Sequence, residues 1–556
     1  MLMKNFVLFF LFVFLCKIKS ETVNLKIGDG EIQGLVNTTT RDGTTYYNFR
    51  GIPYAKPPLQ SLRFTSPVKN SAWNGTYDAT QDRSQCIQND GLVSDTIVGN
   101  EDCLYINVYT PDISTKKLPV LVWIYGGAFL VGNSSYSVYG PDYFLEQGLV
   151  FVSFNYRLGI FGFLSTADEA CPGNWGLKDQ ILALHWVQEN IAYFGGNPEN
   201  VTIFGESAGS ASVHLLMQTN LTKGLFHGAI MNSGTSLNLW SLNTRASRTS
   251  TNLATSLGIP SSNTTYLVEQ LRTIDAKRLH KVGWRVALKL FSNNALRGLP
   301  WGPVMEPDVD GAVLINPSEY ALTKGRFNRV PVLMGINSHE AAVFSSISIL
   351  LRLYVLKYDS FKSYLTPFSM TTNKFKRFVA GREIYHHFFG IFPIAADGPG
   401  LVDFVSADQF DRPIRQAATL MSHFTTVYFY VFGYEGGTAN ATERQFGGTG
   451  HAEDLNYLFK IGSKNSNFTK TDVKVSQMLV SLWSNFVKHA NPTPSEDEEA
   501  VFNEAIWNPV NATSSNFNYM SLNESMVAAV NPKQEDWEFY QDLWKMYGDK
   551  SKMTTY

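Results

Sequence analysis

The middle of the chain alternates short apolar runs with longer stretches in which apolar residues recur at helical spacing. Val120-Leu-Val-Trp-Ile124 and Leu149-Val-Phe-Val-Ser-Phe154 have strand length, are rich in β-branched and aromatic side chains and are bounded by turn residues. Between Leu177 and Phe194 the positions Leu177, Ile181, Leu184 and Ile191 share one helical face, and Gly195-Gly-Asn-Pro198 predicts where that helix stops. Val201-Thr-Ile-Phe204 reads as the next strand and Ala211–Met217 as the next helix, while Val330–Met334 and Thr426–Phe432 read as later strands. Parallel neighbours need a crossover, so this order predicts an α/β fold with a central, mostly parallel sheet covered by helices on both faces. No Pro/Ser-rich or charged linker divides the chain, the most polar stretch being 491–500, and no repeat of about 20 to 50 residues is visible. One large domain with insertions, residues 21–556, is therefore expected.

The ends and the composition place this domain. Phe6 to Cys16 is an apolar run after a Lys-containing start and before Lys17-Ile-Lys-Ser20, too short for the roughly 20 residues of a membrane span. It predicts a secretory signal, residues 1–20, with cleavage near Ser20. Ten Asn-x-Ser/Thr triplets agree with a glycosylated, secreted, extracellular protein: Asn37, Asn74, Asn133, Asn200, Asn220, Asn263, Asn440, Asn467, Asn511 and Asn523. The apolar stretch 343–356 is broken by serines and Arg352, and the polar tail after Lys550 carries no retention tetrapeptide or lipid-anchor signal, so no membrane anchor is expected. A net charge of −2 leaves no basic footprint for nucleic acid. After signal removal Cys86 and Cys103 are near enough in sequence to close a short loop in an oxidising compartment, contributing about 3 kcal/mol. Cys171 is then the odd thiol, read as a small buried hydrophobe in preference to a reactive or intermolecular one.

The motif with the most chemistry is Gly205-Glu-Ser207-Ala-Gly209, set between strand 201–204 and helix 211–217. A Gly-x-Ser-x-Gly pentapeptide is weak evidence alone, but between a strand and a helix it predicts a nucleophile elbow, whose glycines permit the close turn that lifts Ser207 clear of the sheet. A helix N-terminus also favours developing negative charge there. Gly126-Gly-Ala128 follows strand 120–124, and the backbone N–H groups of Gly127, Ala128 and Ala208 are expected to form an oxyanion hole. A serine hydroxyl needs a base and an acid to orient it, arriving in the order Ser, acid, His. Glu340, beyond strand 330–334, and His451, after strand 426–432, stand in suitable places, though position alone does not separate them from other candidates. The chemistry calls for a small-molecule substrate and for no metal or cofactor.

With these residues in view, the chain resembles the type-B carboxylesterase and cholinesterase family along nearly its whole mature length. The match runs through Phe49-Arg-Gly-Ile-Pro-Tyr-Ala-Lys-Pro-Pro58, Leu62-Arg-Phe64, Glu101-Asp-Cys-Leu-Tyr-Ile-Asn-Val-Tyr109, Asn155–Leu164, Gly173-Asn-Trp-Gly-Leu177 and Phe194–Gly209. The resemblance implies an α/β-hydrolase fold with large insertions around the active site. It also implies Glu340 as the acid, in a Gly-x-x-x-x-Glu pattern from Gly335, His451 as the base, in a His-x-Glu-Asp-Leu pattern, and a Cys86–Cys103 disulfide. This sequence departs from the family in three places: Tyr125 replaces the His common before the oxyanion glycines, Ala341 replaces the glycine after the acid, and a second disulfide is absent, so 238–263 is expected to be held by packing alone. Secreted insect members look most similar, which implies hormone, pheromone, dietary or xenobiotic esters. Pocket residues are expected from insertions near 280–300 and 340–400. The loop 87–102, where cholinesterases carry a cation-binding Trp, has no aromatic residue. A binding protein on the same scaffold is the rival reading, disfavoured because Ser207, Glu340 and His451 are all present.

Overall fold

The computed structural model describes residues 21–549 except 115, 294, 346–356, 395–396, 438–442, 463–466 and 495–504. The expected signal at 1–20, the sequon residue Asn440 and most of the apolar stretch 343–356 lie outside the described residues. Twelve strands in one path form the sheet: β1 (Thr22–Ile27), β2 (Gly30–Thr38), β3 (Thr45–Pro53), β4 (Tyr105–Thr110), β5 (Leu118–Ile124), β6 (Val150–Phe154), β7 (Gly196–Glu206), β8 (Gly228–Asn232), β9 (Val332–Asn337), β10 (Val427–Phe432), β11 (Asn518–Leu522) and β12 (Met526–Val530). Thr76–Asp78 adds a short parallel partner beside β2. The spatial order is β1-β2-β3-β4-β6-β5-β7-β8-β9-β10-β11-β12. From β6 to β11 every pairing is parallel. The margins, β1 to β4 with β6 on one side and β11 with β12 on the other, are antiparallel.

The central strands are buried at every position along β6, β8 and β9, as parallel strands covered by helices should be. The flanking helices used below are α1 (Trp175–Asn190), α2 (Ala208–Met217), α3 (Ala276–Asn293), α4 (Lys374–Phe389), α5 (Gly398–Ser406), α6 (Arg412–Ser422), α7 (Lys470–His489) and α8 (Gln534–Tyr547). Beneath the strand ends Trp123 of β5 packs edge-on to Phe204 of β7 at 4.6 Å and against Phe459 at 4.8 Å. Such aromatic contacts add about 0.5 to 1.5 kcal/mol each beyond the area they bury.

Two buried ion pairs explain several of the sequence matches. Arg157 donates through Nε and Nη2 to the Asp179 carboxylate at 2.8 and 2.7 Å, tying the segment after β6 to α1. Arg63 grips Glu101 in the same two-pronged way at 2.7 and 2.6 Å and donates to the carbonyls of Leu271 and Ile274. Removing one partner from such a pair leaves a buried charge and costs about 3 to 5 kcal/mol. The segment 238–263 corrects an expectation, because polar tethers hold it as well as packing. Asn238 Nδ2 and Trp240 Nε1 both donate to the Gln409 carbonyl, at 2.7 and 3.1 Å, and Asn243 Nδ2 donates to the Pro300 carbonyl at 2.7 Å.

Candidate active site

Strand β7 ends at Glu206 and α2 begins at Ala208, so Ser207 alone makes the turn. Its backbone sits at φ 56°, ψ −122°, a conformation that costs a non-glycine residue about 1 to 3 kcal/mol and must be imposed by its surroundings. Both motif glycines are required by close approach. A Cβ on Gly209 would run into the carbonyl of Ile124, and one on Gly205 into the backbone of Gly209. The Ser207 N–H donates to the Asn232 carbonyl at 2.9 Å, which fixes the turn to β8. Facing it, Gly127 and Ala128 adopt φ of +107° and +58°, and a Cβ on Gly126 would crowd Ser207 Cβ at 2.9 Å. The Gly126–Ala128 loop and the Ser207 turn therefore interlock.

The structure brings Ser207, His451 and Glu340 together. His451 Nε2 lies 2.7 Å from Ser207 Oγ, and His451 Nδ1 lies 2.7 Å from Glu340 Oε2. Glu340 follows β9, is fully buried, and its other oxygen accepts the Asn337 N–H at 2.8 Å. The His451 N–H in turn donates to the Glu340 carbonyl at 3.0 Å, so the two residues are joined through backbone as well as side chain.

Two further carboxylates surround the imidazole. Glu206 Oε1 approaches His451 Nε2 at 3.1 Å from the side of the serine. Asp454 accepts from Asn232 Nδ2 at 2.7 Å and from Asn337 Nδ2 at 3.2 Å, bracing β8 and β9. Burial pushes the Glu206 carboxyl up to about 8, against the pull of His451, and the charges of Asp454 and Glu340 push the same way. Burial also raises Asp454, to about 6, although its two asparagine donors oppose the shift. Burial alone would depress His451, but Glu206, the hydrogen bond and charge of Glu340, and Asp454 outweigh it and raise the imidazole to about 9. An ordinary imidazole near 6.5 is thus not what this cluster supplies. Glu206 and His451 compete for one proton, since protonating the carboxyl removes the charge that favours imidazolium.

An apolar contact on the His451 ring comes from outside the insertions expected to line the site. Between α5 and α6 the chain makes a π-helical turn, Ala407–Asp411, and there Phe410 places its ring 4.8 Å from that of His451. Trp240 packs on Phe410 at 5.8 Å. Tyr125, which stands in the common His position, stacks on Tyr156 at 4.5 Å, with Tyr156 Oη donating to the Tyr125 carbonyl at 2.7 Å. Ala341 is buried and its N–H donates to Ser406 Oγ at 3.0 Å. Glu206, Asn232, Asn337, Phe410 and Asp454 escaped the sequence reading. Only Glu206 and Asp454 carried a signal, as neighbours of Ser207 and His451 inside quoted motifs.

Cys86 and Cys103 form a disulfide, S–S 2.03 Å, and Cys171 is a buried free thiol whose pKa burial raises to about 12. A thiol so placed is chemically inert at neutral pH, in keeping with the packing reading. The loop that the disulfide closes is pinned to the segment that follows Gly126–Ala128, because Gln88 accepts the Gly132 N–H at 2.6 Å and donates to its carbonyl at 2.8 Å. Asn89 Oδ1 meets His280 Nε2 of α3 at 2.7 Å. None of the nine described sequon asparagines is buried.

Comparison with known proteins places this geometry. The model of the carboxylesterase family matches residues 19–540. Esterase FE4 of Myzus persicae is 33% identical over 523 residues, covering 90% of this chain and 89% of its own. Juvenile hormone esterase of Tribolium castaneum is 32% identical over 516 residues, covering 87% and 85%. The crystal structure of juvenile hormone esterase from Manduca sexta, with OTFP covalently attached, superposes with a TM-score of 0.83 at 27% identity, over 94% of this chain and 100% of that one. The expected α/β-hydrolase architecture is the observed one, and the chain belongs to the carboxylesterase family and is a carboxylic-ester hydrolase.

Proposed function

We propose that the protein hydrolyses neutral, lipophilic esters through an acyl-enzyme on Ser207, with His451 as base and Glu340 as the acid that orients it. The observation that carries this reading is the continuous relay Ser207 Oγ, His451 Nε2, His451 Nδ1, Glu340 Oε2, with 2.7 Å at each of its two hydrogen bonds. In the neutral tautomer Nδ1–H donates to Glu340 and Nε2 accepts the serine proton as Oγ attacks the ester carbonyl. The N–H groups of Gly127, Ala128 and Ala208 stabilise the oxyanion; a single such donor is typically worth about 3 kcal/mol. The imidazolium then protonates the departing alcohol, and in the second half-reaction His451 activates water against the acyl-enzyme. Glu206 stabilises the imidazolium in both halves.

Phe410 and Trp240 give the site an apolar wall, which favours neutral substrates. Two of the relatives are named juvenile hormone esterase, so a hormone ester stands beside pheromone, dietary and xenobiotic esters in this proposal. The protein acts after secretion as a single catalytic domain, 21–556, following a signal at 1–20, and carries glycans on some of its sequons. Labelling with an organophosphonate followed by peptide mapping tests the site: modification of Ser207 alone is expected, and a label elsewhere overturns the assignment.

A further inference from the structure

The face of the molecule carrying α4 departs in character from the rest of the chain. Phe361, Phe375, Phe378, Ile391 and Phe392 each leave between 49% and 88% of their surface in water. Isolated exposed apolar residues are ordinary, but these belong to segments packed on one another. A Cβ on Gly381 of α4 would meet the Lys362 carbonyl, which shows how closely residues 361–364 lie across the helix. Arg377 Nη2 donates to the carbonyls of Ser363 and Thr366 at 3.1 and 3.0 Å. Lys362 Nζ sits 4.1 Å from the Tyr385 ring centroid, and Tyr385 Oη donates to the Phe392 carbonyl at 2.7 Å. Phe361 and Tyr364 therefore join α4 and its C-terminal turn in one ribbon, along which Phe375, Phe378 and Arg382 follow each other at helical spacing.

The charge on this ribbon runs against that of the molecule. Residues 357–392 hold six Lys or Arg and two Asp or Glu, in a chain whose net charge is −2. Lys374 and Arg382 are exposed. None of the ten sequons falls within 357–392, so no glycan attached there would block approach. No helix among the described residues is long and apolar enough to cross a membrane.

We propose that this ribbon docks the protein peripherally on an anionic phospholipid surface, the phenylalanines entering the headgroup boundary while Lys362, Lys374, Lys376 and Arg382 meet lipid phosphates and carboxylates. Aromatic residues rimmed by basic ones are the composition that such a boundary selects, apolar burial and surface charge acting together. A second copy of the chain is a poorer occupant, because a two-fold contact would set the same basic face against itself.

Sedimentation of the full mature protein with vesicles tests this, using phosphatidylcholine alone and phosphatidylcholine mixed with phosphatidylserine, at low and high salt. Binding to the mixed vesicles is expected, weakened at least about tenfold by removing phosphatidylserine or adding salt. The triple variant Phe375→Ser, Phe378→Ser, Phe392→Ser is expected to lose binding by at least about tenfold while hydrolysing a soluble naphthyl ester at the normal rate. The second variant, Lys374→Glu with Arg382→Glu, changes only exposed side chains and should lose binding to a similar degree. Failure of the unaltered protein to bind mixed vesicles overturns the proposal, as does undiminished binding by the charge variant. Light scattering that shows a dimer dispersed by the phenylalanine substitutions, without vesicle binding, assigns the face to a second copy instead and equally overturns it.

Discussion

Around His451 three carboxylates converge, and only one of them, Glu340, bonds the ring through Nδ1; Glu206 faces the nitrogen that takes the serine proton in the proposed mechanism. That placement helps the imidazolium and hinders the free base, so Glu206 sets the pH at which the base becomes available. The acid limb of the kcat/KM profile should accordingly lie above the ordinary histidine value of about 6.5. Glu206→Gln removes the charge that raises His451, so the limb should move to lower pH, and a limb that stays in place or rises would show that Glu206 does not face the base in solution. Ser207→Ala is expected to fold normally and to lose at least about 10⁴-fold in kcat, and Glu340→Gln to lose a comparable factor by spoiling the tautomer; near-full activity of the latter would send the search to another acid. Ser207 could be singled out in the sequence because its motif stands between a strand and a helix, and Glu340 and His451 through the patterns they share with the family the chain resembles. Asn232 and Asn337 could not, since a buried amide bracing Asp454 has no pattern along the chain to mark it.

The elbow and the disulfide loop show two ways in which an element, as distinct from a residue, positions the chemistry. At the elbow the glycines are set by backbone proximity: Gly209→Ala would push β5 from α2 at the carbonyl of Ile124, an overpacking worth about 1 to 3 kcal/mol. A displacement of that kind shifts Ser207 by tenths of an ångström or more, so phosphonate labelling should slow by about tenfold or more even where the variant remains folded, and an unchanged labelling rate would show that the contact relaxes freely. The parallel strands β5, β6, β7, β9 and β10 and helix α1 were legible because their apolar runs are largely buried and turn residues bound them, whereas the parallel strands β8 and β11, short and carrying polar residues, were not read as strands. The antiparallel margins were not: β1 alternates exposed and half-buried positions, and β12 is largely exposed, so neither shows a contrast that separates strand from loop. The π-helical turn that delivers Phe410 is a change of hydrogen-bond register inside a helical stretch, which leaves no trace in apolar spacing. Replacing both Cys86 and Cys103 by Ala frees a 17-residue separation and should cost about 3 kcal/mol, read as a shorter half-life at elevated temperature.

On the scale of the whole molecule, long matches to one family made the fold legible, whereas the substrate depends on what lines the approach to Ser207, and there this chain goes its own way. A quaternary ammonium needs an aromatic face to replace water, worth about 0.5 to 2 kcal/mol or more when desolvated. The disulfide loop from Ile87 to Asp102 offers none. Its ordered polar groups are committed elsewhere, Gln88 to Gly132 and Asn89 to His280. The His280 ring in turn stacks on Trp284 at 6.2 Å, so the tryptophan linked to that loop through His280 has one face engaged. Buried Glu206 is a poor substitute, because its carboxylate already faces His451 Nε2 at 3.1 Å. Neutral naphthyl or nitrophenyl acetate and butyrate should therefore be turned over well. Acetylthiocholine should be lower in kcat/KM than its neutral isostere by at least about tenfold, which corresponds to about 1.4 kcal/mol of lost transition-state binding. Equal efficiency on the two would mean that another aromatic face, with Trp284 the first to replace, receives the cation, and the preference for neutral esters would fall with it.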